Sequence, residues 1–166
     1  PKHAKILEVG CGSGRTLGYY QDDSEIIALD FSKKMIQIAR KKFPDIRFIL
    51  GDMRDLNFDN SSFDAVTFPY SIFHINKKDV VKVLRKTFEI LKPCGYLLLI
   101  LQEGSGEIII DEPLMPSEKI YFNLYQESEI EEILNDIGFK KIEVGRINPG
   151  KGEIPYNKLV FILKKK

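Results

Sequence analysis

Ile6-Leu7-Glu8-Val9-Gly10-Cys11-Gly12-Ser13-Gly14 is the stretch on which the reading of this chain turns. An apolar run carrying one acid, Glu8, ends in three glycines at alternate positions. Such a run reads as a buried parallel strand. Glycines at its end let the chain turn sharply and bring bare backbone against a ligand. A helix expected to begin at about Ser13 would aim free N–H groups and its positive dipole end at the same place.

The spacing excludes two common cradles. The dinucleotide fingerprint needs its third glycine one position later, where this chain has Arg15. A P-loop needs Gly-Lys-Ser/Thr, and none follows.

Three further segments lie downstream. Ile26-Ile27-Ala28-Leu29-Asp30 is a second apolar run closed by an acid. An acid at the tip of a second strand can accept hydrogen bonds from ribose hydroxyls. Ser32 is placed to cap a helix carrying Met35, Ile38 and Ala39 on one face. Phe48-Ile49-Leu50-Gly51-Asp52-Met53 again ends a strand in glycine and acid. Finally, Asn76 can cap a helix with Val80, Val83, Leu84, Thr87 and Leu91 on one side, ended by Lys92-Pro93-Cys94-Gly95. A continuous apolar strand, Tyr96 to Leu101, follows at once.

Together these segments resemble the successive motifs of the class I methyltransferases that use S-adenosylmethionine, of the small-molecule, ubiquinone/menaquinone-methyltransferase-like type. The resemblance runs from about Lys5 to the C-terminus. It implies an α/β, Rossmann-like, doubly wound sheet of seven mostly parallel strands, the last antiparallel, with helices on both faces. It implies S-adenosyl-L-methionine as cofactor and S-adenosyl-L-homocysteine as product. The cofactor contacts it carries over are Glu8, Gly10, Cys11, Gly12, Gly14, Asp30, Phe31, Met35, Asp52, Met53 and Phe68. Within that set Asp30 takes the ribose, Met35 lies against adenine, the Asp52 carboxylate takes the adenine amino group, and the Met53 N–H takes a ring nitrogen. Asp64 reads as a turn acid at the start of the fourth strand. Relatives carry helices before the first strand, so a single domain over 1–166 without an N-terminal helical cap is expected.

Composition agrees. A chain of 166 residues with 43% hydrophobic and 30% charged residues can bury a real core. Its formal net charge of +1 asks for no nucleic acid and no anionic membrane. Two cysteines, Cys11 and Cys94, make no disulfide framework, which points to the cytoplasm. No grouped ligand set suggests a metal.

Strands are expected near 5–9, 25–30, 46–51, 63–68 and 95–102, with helices between. Glu107 to Tyr125, containing Pro113 and Pro116, is too long for an ordinary connection and is expected to hold strand or lid structure. Ser128 with Glu131 reads as a capping box for a helix closed by Gly138. Lys141–Ile147 and Lys158–Leu163 read as a final strand pair around a Gly/Pro-rich connection.

Methyl transfer is an in-line displacement at an activated carbon, so positioning and water exclusion suffice. A base is needed only if the acceptor must lose a proton. His74, beyond the fourth strand, is the candidate general base, set against a packing or hydrogen-bonding role. Phe68-Pro69-Tyr70 has Pro-Tyr without the Asn/Asp-Pro-Pro-Tyr of adenine and amide methyltransferases, which turns the reading from nucleic acid toward a small-molecule acceptor. Tyr70, Tyr121, Phe122 and Tyr125 are candidate acceptor walls, with core packing expected for at least two. Alternatives are a methyltransferase-like S-adenosylmethionine-binding module, inactive alone or needing a partner or N-terminal segment, and a nicotinamide enzyme.

Overall fold

Each apolar run becomes a strand because it is buried on both faces, leaving its backbone groups to pair only with neighbouring strands. A computed structural model describes residues 3–20, 23–112, 115–151 and 153–166. β1 (Lys5–Val9), β2 (Glu25–Asp30), β3 (Arg47–Leu50), β4 (Phe63–Phe68) and β5 (Leu91–Glu103) run parallel in the order β3-β2-β1-β4-β5. Beyond β5 come β9 (Lys158–Lys165) and then β8 (Phe139–Ile147), with β9 antiparallel to both. These seven strands are the sheet expected, the last of them reversed.

Two more strands were not foreseen in number. β6 (Glu107–Glu112) and β7 (Met115–Tyr125) pair antiparallel. They join the far end of β5 through Gln102 beside Leu124 and Glu103 beside Tyr125. The long segment after β5 is therefore a hairpin, while Pro113 lies outside the described residues.

The helices divide between the faces. α1 (Lys33–Lys42) covers Ala28 and Phe48 with Ile36 and Ala39. α2 (Lys77–Ile90) and α3 (Glu127–Ile137) cover the other face, where Leu7, Val9, Val66, Phe68, Leu99 and Phe161 meet Val83, Leu84, Ile130 and Leu134. Two starts are capped as the sequence suggests. Ser32 Oγ accepts the Met35 N–H at 3.3 Å, and Asn76 Oδ1 accepts the Asp79 N–H at 2.9 Å.

Four expectations fail locally. No α-helix starts near Ser13: turns lead to a one-turn 3-10 helix at Leu17–Tyr19. Gly12 and Gly14 hold φ of 52° and 79°, values outside the helical region, and Gly18 follows inside the short turn. Likewise 51–62 carries no helix between β3 and β4. α3 begins at Glu127 behind Gln126, which makes no side-chain cap bond, so Ser128 sits inside the first turn rather than at its entrance. On α1 the buried positions are Ile36 and Ala39, whereas Met35 and Ile38 stay on the open side.

Candidate active site

The C-terminal ends of β1, β2 and β4 converge on one loop. After β1 the Gly10 and Cys11 N–H groups both donate to the Leu29 carbonyl, at 2.7 and 3.1 Å, tying the loop to the tip of β2. Gly10 has φ of 76°, and a Cβ there would stand 2.2 Å from Ser71 Cβ. Ser71, just past β4, donates its hydroxyl to the Val9 carbonyl at 2.6 Å. Gly10 thus does two jobs at once: it supplies a left-handed turn, and it lets the loop after β4 close against the end of β1. Gly12 differs. An added Cβ would meet nothing within 4 Å, so its outer side is open.

Asp30 ends β2 beside this opening. Its Oδ2 accepts the Gly12 N–H at 2.7 Å and its Oδ1 accepts the Ser32 N–H at 2.8 Å. One carboxylate therefore joins the glycine loop to the cap of α1. Around it the apolar surface is unusually bare. Phe31 is 77% and Leu50 56% exposed, and Met35 is 36% exposed on the adjoining face of α1. The Asp52 carboxylate, after β3, is held by Arg54 Nη2 at 2.5 Å, which keeps it below the usual carboxylate range, chiefly through that hydrogen bond. Met53 beside it is partly buried against the core.

Glu8 is wholly buried beneath the loop. Its Oε1 accepts from Thr16 Oγ1 at 2.7 Å and its Oε2 from the Tyr20 hydroxyl at 2.6 Å, with Thr67 Oγ1 2.8 Å from that hydroxyl. Burial raises the Glu8 carboxyl above its ordinary value, and the two hydroxyls oppose the rise. Cys11 is buried too, and burial, then the Asp30 and Glu8 charges, push its thiol up to about 12. Such a thiol is protonated and inert at neutral pH.

One expected residue, Phe68, lies away from the opening. Phe68 is fully buried in the core on the α2–α3 side, because strand alternation turns it away from the opening. His74 makes packing and hydrogen-bonding contacts. Its Nδ1 lies 3.0 Å from the Tyr121 carbonyl, and since a carbonyl only accepts, that nitrogen carries a proton. Its ring sits against Phe73 and Phe122, with centroids 4.6 and 4.7 Å away. Phe122 and Tyr125 are core residues, which leaves Tyr70 and Tyr121 toward the surface. Asp64 accepts the Lys5 N–H and pairs with Lys92, each at 2.8 Å, the turn acid expected. Ser71 is the residue sequence reasoning missed; a lone serine after a strand carries no pattern until its contact with Gly10 is seen.

Residues 6–95 match the family described as Methyltransferase domain. This chain belongs to the class I S-adenosylmethionine-dependent methyltransferases. The methyltransferase is 38% identical over 98 residues to a demethylmenaquinone methyltransferase of Renibacterium salmoninarum, covering 57% of this chain and 40% of that protein. It is 33% identical over 129 residues to the protein of that name from Lactococcus lactis, covering 72% and 47%. The chain thus spans less than half the length of these relatives. Among solved structures, a SAM-dependent methyltransferase from Methanosarcina mazei superposes with a TM-score of 0.87 at 18% identity, covering 99% of this chain and 93% of that one. A Burkholderia thailandensis 1,6-didemethyltoxoflavin-N1-methyltransferase, solved with that compound and S-adenosylhomocysteine, gives 0.79 at 19% identity, covering 99% and 72%. These two likenesses concern the fold.

Proposed function

We propose that this methyltransferase holds S-adenosylmethionine across the tips of β1, β2 and β3 and transfers its methyl group to a small-molecule acceptor. The observation that carries the reading is the union of Gly12, open on its outer side, with the Asp30 carboxylate that its own N–H reaches. A bare backbone beside a strand-tip acid suits a ribose and the chain attached to it. Phe31, Met35 and Leu50 supply an apolar rim for a flat base, and Asp52 supplies an acceptor for its amino group. The donor set contains no thiolate or imidazole cluster, and no group that could hold a metal ion occurs among the described residues.

When bound, the cofactor supplies a sulfonium-activated methyl carbon. The chain's own residues then bind, orient and exclude water. Glu8 acts through Thr16 and Tyr20, fixing the glycine loop from beneath rather than touching ligand. Ser71 fixes it from the β4 side. Cys11 and the glycines contribute backbone, and Phe68 contributes only packing. His74 ties the loop after β4 to β7 through the Tyr121 carbonyl.

The near-neutral charge and the Phe68-Pro69-Tyr70 sequence support a small acceptor over nucleic acid. Free Cys11 and Cys94 support a cytoplasmic setting. Among the described residues no helix is long and apolar enough to cross a membrane. We read 1–166 as one cofactor-binding domain. Incubation with methyl-labelled S-adenosylmethionine and a pool of small metabolites should yield a labelled small product. Label appearing only in nucleic acid or protein would overturn the acceptor class.

A further inference from the structure

At the ligand end of the sheet, two buried polar side chains stand side by side and do not satisfy each other. Gln102, near the end of β5, is 3% exposed, and its Oε1 has no hydrogen-bond partner. Lys158, the first residue of β9, is 7% exposed. The two are directly opposed in the antiparallel β5–β9 register, so their side chains leave the same face as close neighbours. Lys158 Nζ bonds the Glu153 carboxylate, and among the described residues that is its one hydrogen-bond partner, leaving N–H groups to spare. A buried acceptor without a donor is costly, and native proteins keep such a group for a reason.

The pair also lies close to the glycine loop. Lys158 Nζ stands 5.5 Å from the centre of the Tyr70 ring. Tyr70 is 38% exposed and held at φ of 61°, a strained value for a tyrosine. Its neighbour Ser71 is the residue packed on Gly10. The chain thus runs from the end of β1 through Ser71 and Tyr70 to the Lys158 ammonium within a few residues. Arg15, inside the loop itself, lies within electrostatic reach of Glu153.

We infer that Gln102 and Lys158 form the acceptor-orienting pair of this methyltransferase, with Tyr70 as its wall, and that they select an acceptor bearing a hydroxyl on a planar ring. This rests on the function proposed above. One hydroxyl meets both unmet needs: its O–H donates to Gln102 Oε1, and its oxygen accepts from Lys158 Nζ. A carbonyl or ether accepts only, and an ammonium donates only. Tyr70 offers an aromatic face for the ring. Entry is past Glu153, whose side chain is 45% exposed and is held by the Gly150 N–H and Lys158 Nζ.

The test uses 4-nitrophenol, kept neutral by pH, against 4-nitroanisole, its methyl ether. Each is titrated into the whole chain, with and without S-adenosylhomocysteine, and followed by calorimetry and absorbance. The phenol should bind saturably, with the ether about tenfold weaker, the effect of one lost buried hydrogen bond. Gln102→Leu should erase the difference, and Lys158→Met should reduce it. If either variant does not fold, the phenol–ether comparison on the unaltered chain still decides. Equal binding of the two compounds, or no saturable binding of the phenol, overturns the pair. A merely structural Lys158–Glu153 ion pair would move melting temperature and leave that ratio at one. The S-adenosylhomocysteine titration separates the two readings. Cofactor binding with no phenol preference strikes the pair alone, and phenol preference without cofactor binding strikes the cofactor reading alone.

Discussion

Gly10→Ala tests the geometry at the heart of the loop. The structure sets two separate costs at that position. The backbone holds φ of 76°, where a Cβ costs about 1–2 kcal/mol. The new Cβ would also stand 2.2 Å from Ser71 Cβ, far inside contact, so Ser71 must shift. Overpacking of that kind costs about 1–3 kcal/mol. If Ser71 moves, its bond to the Val9 carbonyl goes as well, a further loss of about 1 kcal/mol. Urea unfolding should therefore find Gly10→Ala destabilised by about 3–6 kcal/mol in all. The two costs separate in a double-mutant cycle with Ser71→Gly, which removes the clash but leaves the backbone strain. The coupling should be favourable by about 2–4 kcal/mol, the clash plus the hydroxyl bond that each single variant loses, with the residual deficit left by φ and the lost hydroxyl. Zero coupling would mean that Gly10 and Ser71 do not meet, and the closure of β4's loop on β1 would be wrong. Gly12→Ala is the control. It carries the strain with no clash, so it should cost about 1–2 kcal/mol and be indifferent to Ser71→Gly.

Other outcomes follow from single groups. The folded state raises the Glu8 carboxyl above its ordinary value, so the protonated form is favoured there. Stability from this group is full below the ordinary carboxylate value and declines as pH rises toward the raised one. Glu8→Gln should flatten that slope in thermal melts between those two values, and parallel curves would refute it. Tyr125 is buried with no partner for its hydroxyl, so Tyr125→Phe should leave stability unchanged or raise it by up to about 1 kcal/mol. A clear loss in urea unfolding would reveal a missed partner. Asp52 and Arg54 should oppose each other in cofactor calorimetry. Asp52→Ala should weaken S-adenosylhomocysteine about tenfold, the worth of a hydrogen bond or so, whereas Arg54→Ala frees the carboxylate and should not weaken it. Because the pair is exposed, both should melt within about a degree or two of the parent. Finally, iodoacetamide should label exposed Cys94 in the native chain and spare Cys11, whose thiol sits at about 12, until denaturant is added.

Much of this molecule was legible in the chain, and where it was not the reasons are physical. The core strands, the caps at Ser32 and Asn76 and the Gly138 stop each rest on local chemistry: burial pattern, a short polar side chain, a left-handed residue. The glycine loop and Asp30 could be placed because their spacing is itself the signal. What failed depends on distant partners. The expected helix at Ser13 needs φ values that Gly12 and Gly14 do not adopt, and those values serve the Gly12 bond to Asp30 and the packing of Gly14 on Phe43. Phe68 was placed in the site, but its face is set by the register of β4 with β1 and β5. The β6–β7 hairpin could not be read as such because its pairing lacks a tight turn signal. Ser71, Gln102 and Lys158 were invisible individually; only cross-strand register brings them to one end of the sheet.

Calorimetry of the whole chain with S-adenosylhomocysteine and with NAD, repeated on Asp30→Ala, tests the central claim most directly. The account predicts saturable binding of S-adenosylhomocysteine at one site per chain, weakened at least tenfold by the substitution, and no binding of NAD. Binding of NAD with none of S-adenosylhomocysteine would contradict it.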